Sequence, residues 1–202
     1  MARRRKRDLK LRQWFRLARN ALLALIAASF LLVLPLRWIN PPVTAFMLLD
    51  TSGRDPLLHE WVAWDELGTA TPLAVVAAED QRFADHPGLD LVAIRKAVGE
   101  KAARGYLRGA STITQQTAKN LFLWPGRSFI RKGLEAWFTI IIEACLPKRR
   151  ILEIYLNVAE FGPGIYGVRA ASRYFFGKQP SRLSRREAAL LAAVLPLSLI
   201  HI

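Results

Sequence analysis

Within twelve residues, Gly109 to Asn120 (GASTITQQTAKN), the sequence gathers Ser111, Thr112, Thr114, Gln115, Gln116, Lys119 and Asn120. Thr112 followed three residues later by Gln115 fits a capping box, which predicts a helix start here. On that helix Gln115 and Gln116 share a face with Lys119, at i,i+4 and i,i+3 spacing. Free N–H groups at a helix start, hydroxyls beside them and a lysine one turn on suit an anionic, oxygen-rich ligand. The same residues would also make an ordinary capped surface helix, and the stretch alone leaves both readings open.

Two carboxylates could add acid–base chemistry. Glu79 ends the apolar segment 73–78 and is expected at the edge of a core, where partial desolvation would raise its pKa and suit a general acid or base. A plain helix-terminal carboxylate is the alternative. Asp80, Phe83, His86 and Asp90 follow closely; His86 precedes Pro87-Gly88 and fits a turn better than a metal site. No HExxH pattern is present, so metal catalysis has little support. Glu135 stands four residues after Arg131 and three after Lys132, with Glu143 two turns further on. That patch is either a solvated ion pair or a phosphate holder in which Glu135 fixes two cations. Paired carboxylates suit glycosidic-bond chemistry. The cations would be surplus in sugar hydrolysis but useful for a sugar carried on a pyrophosphate.

These groups must be positioned by helices. Thr71 is expected to cap a helix with Pro72 in its first turn, Asp90 one through about Arg104, and Thr112 the next. Residues 129–146 read as a long helix with Leu134, Phe138, Ile141, Ile142 and Cys145 on its apolar side. Pro147 starts another; residues 168–176 form one more; Ser184 with Glu187 makes a second capping box. Phe161–Gly167 reads as a rigid Gly-rich loop, and residues 43–50 as a short strand or docking segment. No strand pattern of any length and no internal repeat is found, so the fold class is mainly α. Cys145, the single cysteine, excludes an intrachain disulfide and is expected in the core.

The 202 residues are 52% hydrophobic yet carry a net charge of +14. Residues 1–20 hold nine basic side chains against Asp8, so more than half of the excess is a tail. Plain nucleic-acid binders are basic but not this apolar, which disfavours a nucleic-acid partner. Residues 21–34 contain no charge. The apolar span 17–39 is long enough for a tilted membrane helix, flanked by Trp14 and Trp38 and preceded by the basic cluster. The expected layout is a basic cytoplasmic tail at 1–16, a transmembrane helix at 17–39 and a domain at 40–196 outside the membrane. A cleaved signal peptide is the rival, disfavoured because Arg37, Trp38, Pro41 and Pro42 sit badly before a cut near Ala45.

Five segments then occur in order: E79-D80-Q-R-F83-x-x-H86-x-G88-x-D90; G109-A-S111-T112-I-T114-Q115-Q116-x-x-K119-N120; R131-K132-x-x-E135 with E143; K148-x-x-I-L-E153-x-Y155-L156-N157; and G162-x-G164-x-Y166-G167. Together they resemble the peptidoglycan glycosyltransferases (glycosyltransferase family 51), and the short chain with one anchor is similar to the monofunctional biosynthetic transglycosylases. The resemblance spans roughly residues 40–196. Ala110 and Thr139 depart from the residues common there, outside the charged set. The resemblance implies a lysozyme-like glycosyltransferase domain in the bacterial inner membrane, with the N-terminus cytoplasmic and the catalytic domain periplasmic. It implies polymerisation of lipid II into β-1,4-linked glycan with inversion and loss of undecaprenyl pyrophosphate. Glu79 would be the general base, and Glu135 a catalytic residue on the donor side with Lys119, Arg131 and Lys132. Asp80, Phe83, His86, Ser111, Thr112, Gln115, Gln116 and Asn120 would complete the substrate-binding set. No cofactor and no metal ligand is expected; a divalent cation assisting the pyrophosphate is left open. The expected partners are lipid II, the growing glycan strand and the membrane, with cell-wall synthesis or division proteins left open.

Two other functions compete with this one: a lysozyme-like hydrolase, which would not need the three cations, and a non-enzymatic basic protein binding anionic lipid or nucleic acid through its tail. The terminal hexapeptide 197–202 (LSLIHI) reads as a translated sequencing adaptor, so it is expected to be non-native and the domain C-terminally truncated.

Overall fold

The computed structural model describes residues 2–95, 99, 111–126 and 128–195. The expected continuation of a helix to Arg104, the Gly109-Ala110 pair and the C-terminal hexapeptide lie outside these residues. The mainly α expectation holds. Helix α1 (Ala2–Val33) continues from the basic tail through the apolar span and tightens into a 3-10 turn at Leu34–Arg37. The segment Arg12–Arg37 is long and apolar enough to cross a membrane. Its last turn belongs to the domain: Val33 and Leu36 are buried in the core cluster. Arg150 ties down the exit, donating to the carbonyls of Leu36 (2.8 Å) and Ile39 (3.1 Å) and to the Asn40 side chain (2.8 Å).

Helix α2 (Ala45–Leu48) takes up the segment read as a strand or docking piece; the Thr44 side chain accepts from Met47 N and starts it. Helix α3 (Ala70–Glu79) begins earlier than the Thr71 cap expected. Pro72 fits because the N–H groups of a first helical turn have no partner to lose, and Thr71 is buried instead of capping. Asp90 does cap, accepting from Val92 N and Ala93 N at 2.9 Å, and residues 91–95 are helical.

Helix α4 (Ile113–Phe122) carries the Thr112–Gln115 capping box in full. Helices α5 (Phe129–Cys145), opened by Ser128, and α6 (Lys148–Val158) pack against it. Helices α7 (Val168–Phe176) and α8 (Arg185–Ala193) follow, α8 with the Ser184–Glu187 capping box and packed on α3. The Gly-rich stretch is not a plain loop. It is a tight hairpin of β2 (Glu160–Gly162) and β3 (Ile165–Tyr166), and β1 (Leu58–His59) pairs with β3 in parallel. Strands of two or three residues leave no alternation to detect.

The core lies where α3, α4, α5, α6 and α7 meet, and its largest fully buried side chains include Tyr155, Phe161, Ile113, Ile142 and Ile154. Cys145 is inside, as expected. The consequential feature is α4. Its sequence is polar, yet eight of its ten residues are buried. A buried polar helix is tolerable only if its side chains find partners. Those partners define the site.

Candidate active site

Glu79 is the last residue of α3 and is buried at the α3–α4 junction. Its Oε2 accepts 2.7 Å from Gln116 Nε2, while Oε1 has no hydrogen-bond partner. Burial pushes the carboxyl above its ordinary range; the Gln116 amide and Lys119 pull it down, and Asp80 adds to the rise. Gln116 is held from its other end, its Oε1 accepting 2.9 Å from the Tyr155 hydroxyl on α6.

Asp80, the residue after the helix, has both carboxylate oxygens engaged. Its Oδ1 meets His86 Nε2 at 2.9 Å, and its Oδ2 accepts 3.1 Å from Ile113 N at the start of α4. Thr112 donates to the Gly88 carbonyl at 2.5 Å. Gly88 has a φ of +82°, and a Cβ there would lie 2.6 Å from Thr139 Cγ2 and 2.7 Å from Glu143 Cγ. The loop 80–90 is thus bolted to α4 and α5. Lys148 adds a third bolt, donating to the His86 carbonyl (2.6 Å) and Glu143 (2.8 Å) while lying over the Phe83 ring. Thr114 donates to the same Glu143. Glu143, grouped with Arg131 and Lys132 by helix spacing, therefore serves a separate structural knot.

Glu135 on α5 is 3% exposed and holds a cation on each oxygen: Arg131 Nη1 at 2.8 Å on Oε2 and Lys132 Nζ on Oε1. Arg131 is nearly enclosed, at 12% side-chain exposure, whereas Lys132 is 47% exposed and also reaches Ser111 Oγ at 3.2 Å. Between the carboxylates stands Lys119. Burial lowers its pKa and Glu135 counters this, with Arg131 and Lys132 pushing in the same direction as burial. It is within electrostatic reach of Glu79 as well. Its ammonium lies 5.1 Å from the Phe46 ring centroid on α2. Glu160 on β2 also faces Lys119; burial lifts its carboxyl, and the Lys119 charge restrains it.

The sequence-selected residues therefore divide. Glu79, Gln116, Lys119, Arg131, Lys132, Glu135 and Ser111 converge on one polar cluster, the wall of the candidate site, and Asn120 is buried on the same helix α4. Asp80, Phe83, His86, Thr112 and Gln115, read as substrate-binding, have their side chains committed to capping, pairing or core contacts that hold this wall. The cause is burial. Polar groups taken from water satisfy one another first. Sequence reasoning missed Phe46 and Glu160, which carry no signal near the helix spacings used. It also left the Tyr155 hydroxyl without a role, because Tyr155 looks like a core residue. Among the described residues no group of three or more His, Cys, Asp and Glu side chains is placed to hold a metal ion.

A family model described as Transglycosylase matches residues 48–198. A biosynthetic peptidoglycan transglycosylase of Pseudomonas aeruginosa is 51% identical over 193 residues, covering 92% of this chain and 83% of that protein. Its counterpart in Shewanella amazonensis is 52% identical over 190 residues, covering 92% and 77%. The one in Xanthomonas campestris pv. campestris is 56% identical over 177 residues, covering 84% and 72%. On a match of this extent, the chain belongs to the biosynthetic peptidoglycan transglycosylases.

Proposed function

We propose that this transglycosylase polymerises lipid II into β-1,4-linked glycan strands, with inversion at the donor sugar and release of undecaprenyl pyrophosphate. The observation that carries this is the contrast between two buried carboxylates. Glu79 keeps one oxygen unpartnered, while both Glu135 oxygens are occupied by cations. Glu79 is then the general base. The acceptor 4-hydroxyl gives its proton to Glu79 Oε1 as its oxygen attacks C1 of the donor, and the C1–O bond to the pyrophosphate breaks. A carboxylate whose pKa is lifted by burial is a stronger base and lies closer to the working pH. Lys119, Arg131 and Lys132 meet the negative charge that builds on the leaving pyrophosphate. Glu135 holds two of them in place before the charge arrives. Ser111 and Asn120 line the same wall and orient the sugars, while Gln116 is held between Glu79 and Tyr155. The reading invokes no cofactor, since the chain supplies its own cations.

The membrane side of the proposal rests on α1 and α5. Trp137 Nε1 on α5 donates 3.0 Å to Ser29 Oγ, inside the apolar span, and Arg37 donates 3.0 Å to the Cys145 carbonyl. On α5, directly before Arg131, Phe129 is 99% and Ile130 76% exposed. Bare apolar side chains of that size beside a phosphate-binding patch suit a lipid-borne substrate at a bilayer surface. The basic tail that opens α1 supports, by the positive-inside rule, a cytoplasmic N-terminus and a periplasmic catalytic domain.

Incubation of the detergent-solubilised full chain with labelled lipid II is the test. Polymer that a muramidase digests to disaccharide units is the expected result. Intact lipid II, or release of sugars from preformed glycan, would overturn the proposal.

A further inference from the structure

An ionised Glu79 cannot face an amide oxygen, so Gln116 must turn its NH2 group toward it. The amide oxygen then points the opposite way, into the core, where it needs a donor. The Tyr155 hydroxyl supplies that donor at 2.9 Å, from a side chain with no solvent exposure. Burial, with the Glu79 charge nearby, pushes the Tyr155 phenol well above its ordinary pKa, so the proton is always there to give. The chain Tyr155 Oη–H to Gln116 Oε1, then Gln116 Nε2–H to Glu79 Oε2, spans three helices: α6, α4 and α3. It leaves Glu79 Oε1 as the oxygen without a partner.

We propose that Tyr155 is a positioning residue for the base: by fixing the orientation of the Gln116 amide, it holds Glu79 ionised and turns Oε1 alone toward the acceptor hydroxyl. This rests on Glu79 being the base. Without the hydroxyl, the Gln116 amide oxygen is a buried acceptor with no donor. The amide gains by rotating so that its oxygen faces Glu79, an arrangement that suits only the protonated acid. The other groups facing Glu79 are Lys119 on α4 and Asp80 beside it; both are left in place by a change at Tyr155.

The test is the pH profile of kcat/KM for lipid II polymerisation by the full chain in detergent, for wild type, Tyr155→Phe, Gln116→Met and the double variant. In Tyr155→Phe the acidic limb should move up by about one pH unit, with activity returning toward wild type on the alkaline side. Gln116→Met should shift it in the same direction, and adding Tyr155→Phe to Gln116→Met should change nothing further. A loss equal at every pH, an unmoved limb, or additive effects in the double variant would overturn the proposal. If Tyr155→Phe does not melt cooperatively, Gln116→Met decides alone by the same criterion. Failure of the underlying reading looks different: a wild type inactive on lipid II, or an active Glu79→Gln.

Discussion

Glu79 and Glu135 are two buried carboxylates of one polar cluster that are satisfied in opposite ways. Glu79 receives a single neutral amide N–H at 2.7 Å and keeps a bare oxygen, whereas Glu135 is clamped by a guanidinium and an ammonium. Lys119 lies within electrostatic reach of both. One carboxylate is thereby left with an oxygen able to take up a proton, and the other has both oxygens paired with cations.

The bare carboxylate should cost stability in a pH-dependent way. The pKa of Glu79 is raised in the folded chain above its ordinary value of 4.5. As pH rises through the window just above 4.5, the folded state retains a proton that the unfolded state has lost, so stability falls and stays lower once Glu79 ionises. Glu79→Gln removes this decline. Its melting temperature in detergent should equal that of wild type near pH 4 and exceed it by about 1–3 °C at pH 7–8. A variant less stable than wild type at neutral pH would refute the burial argument.

Arg131 and Lys132 should separate when stability and activity are measured together. Arg131→Ala leaves the buried Glu135 short of a cation and should destabilise by about 2–4 kcal/mol. Lys132 is half exposed, so Lys132→Ala should cost under about 1 kcal/mol. Both should slow polymerisation, because each removes a charge from the pyrophosphate side. Chemical denaturation of Arg131→Ala with and without Glu135→Gln checks the cause: the second change should recover part of the loss.

Gly88 should tolerate no side chain. At its φ of +82°, an added Cβ meets Thr139 and Glu143 inside 3 Å, and its carbonyl is the acceptor for Thr112. Gly88→Ala should lose about 2 kcal/mol or more. Gly126→Ala, at φ +111° with nothing within 4 Å, should lose only the backbone share, about 1 kcal/mol. Equal thermal shifts for the two would show that the loop is not packed against α4 and α5 as described.

Local signals were legible in the sequence. Both capping boxes, the Asp90 cap and the helix read at 129–146 (Phe129–Cys145 in the structure) are set by residues three or four apart, and they stand where spacing put them. What depended on distant partners was not legible. Glu143 and Arg131 share a helix, but Thr114 and Lys148 draw Glu143 into another knot. The contested α4 stretch could be capped surface or cleft wall by spacing alone; burial against α5 and α6 removes the surface reading. The strands were too short to alternate. Tyr155 reads as one more core aromatic, and only the position of Gln116, 39 residues away, gives its hydroxyl a purpose.

The most direct measurement is the initial rate of glycan polymerisation from labelled lipid II by Glu79→Gln, beside wild type and with both shown to melt cooperatively. The account predicts a loss of about 10²–10⁴-fold, the range expected for removing a general base. A folded Glu79→Gln chain polymerising within a few-fold of wild type would contradict it.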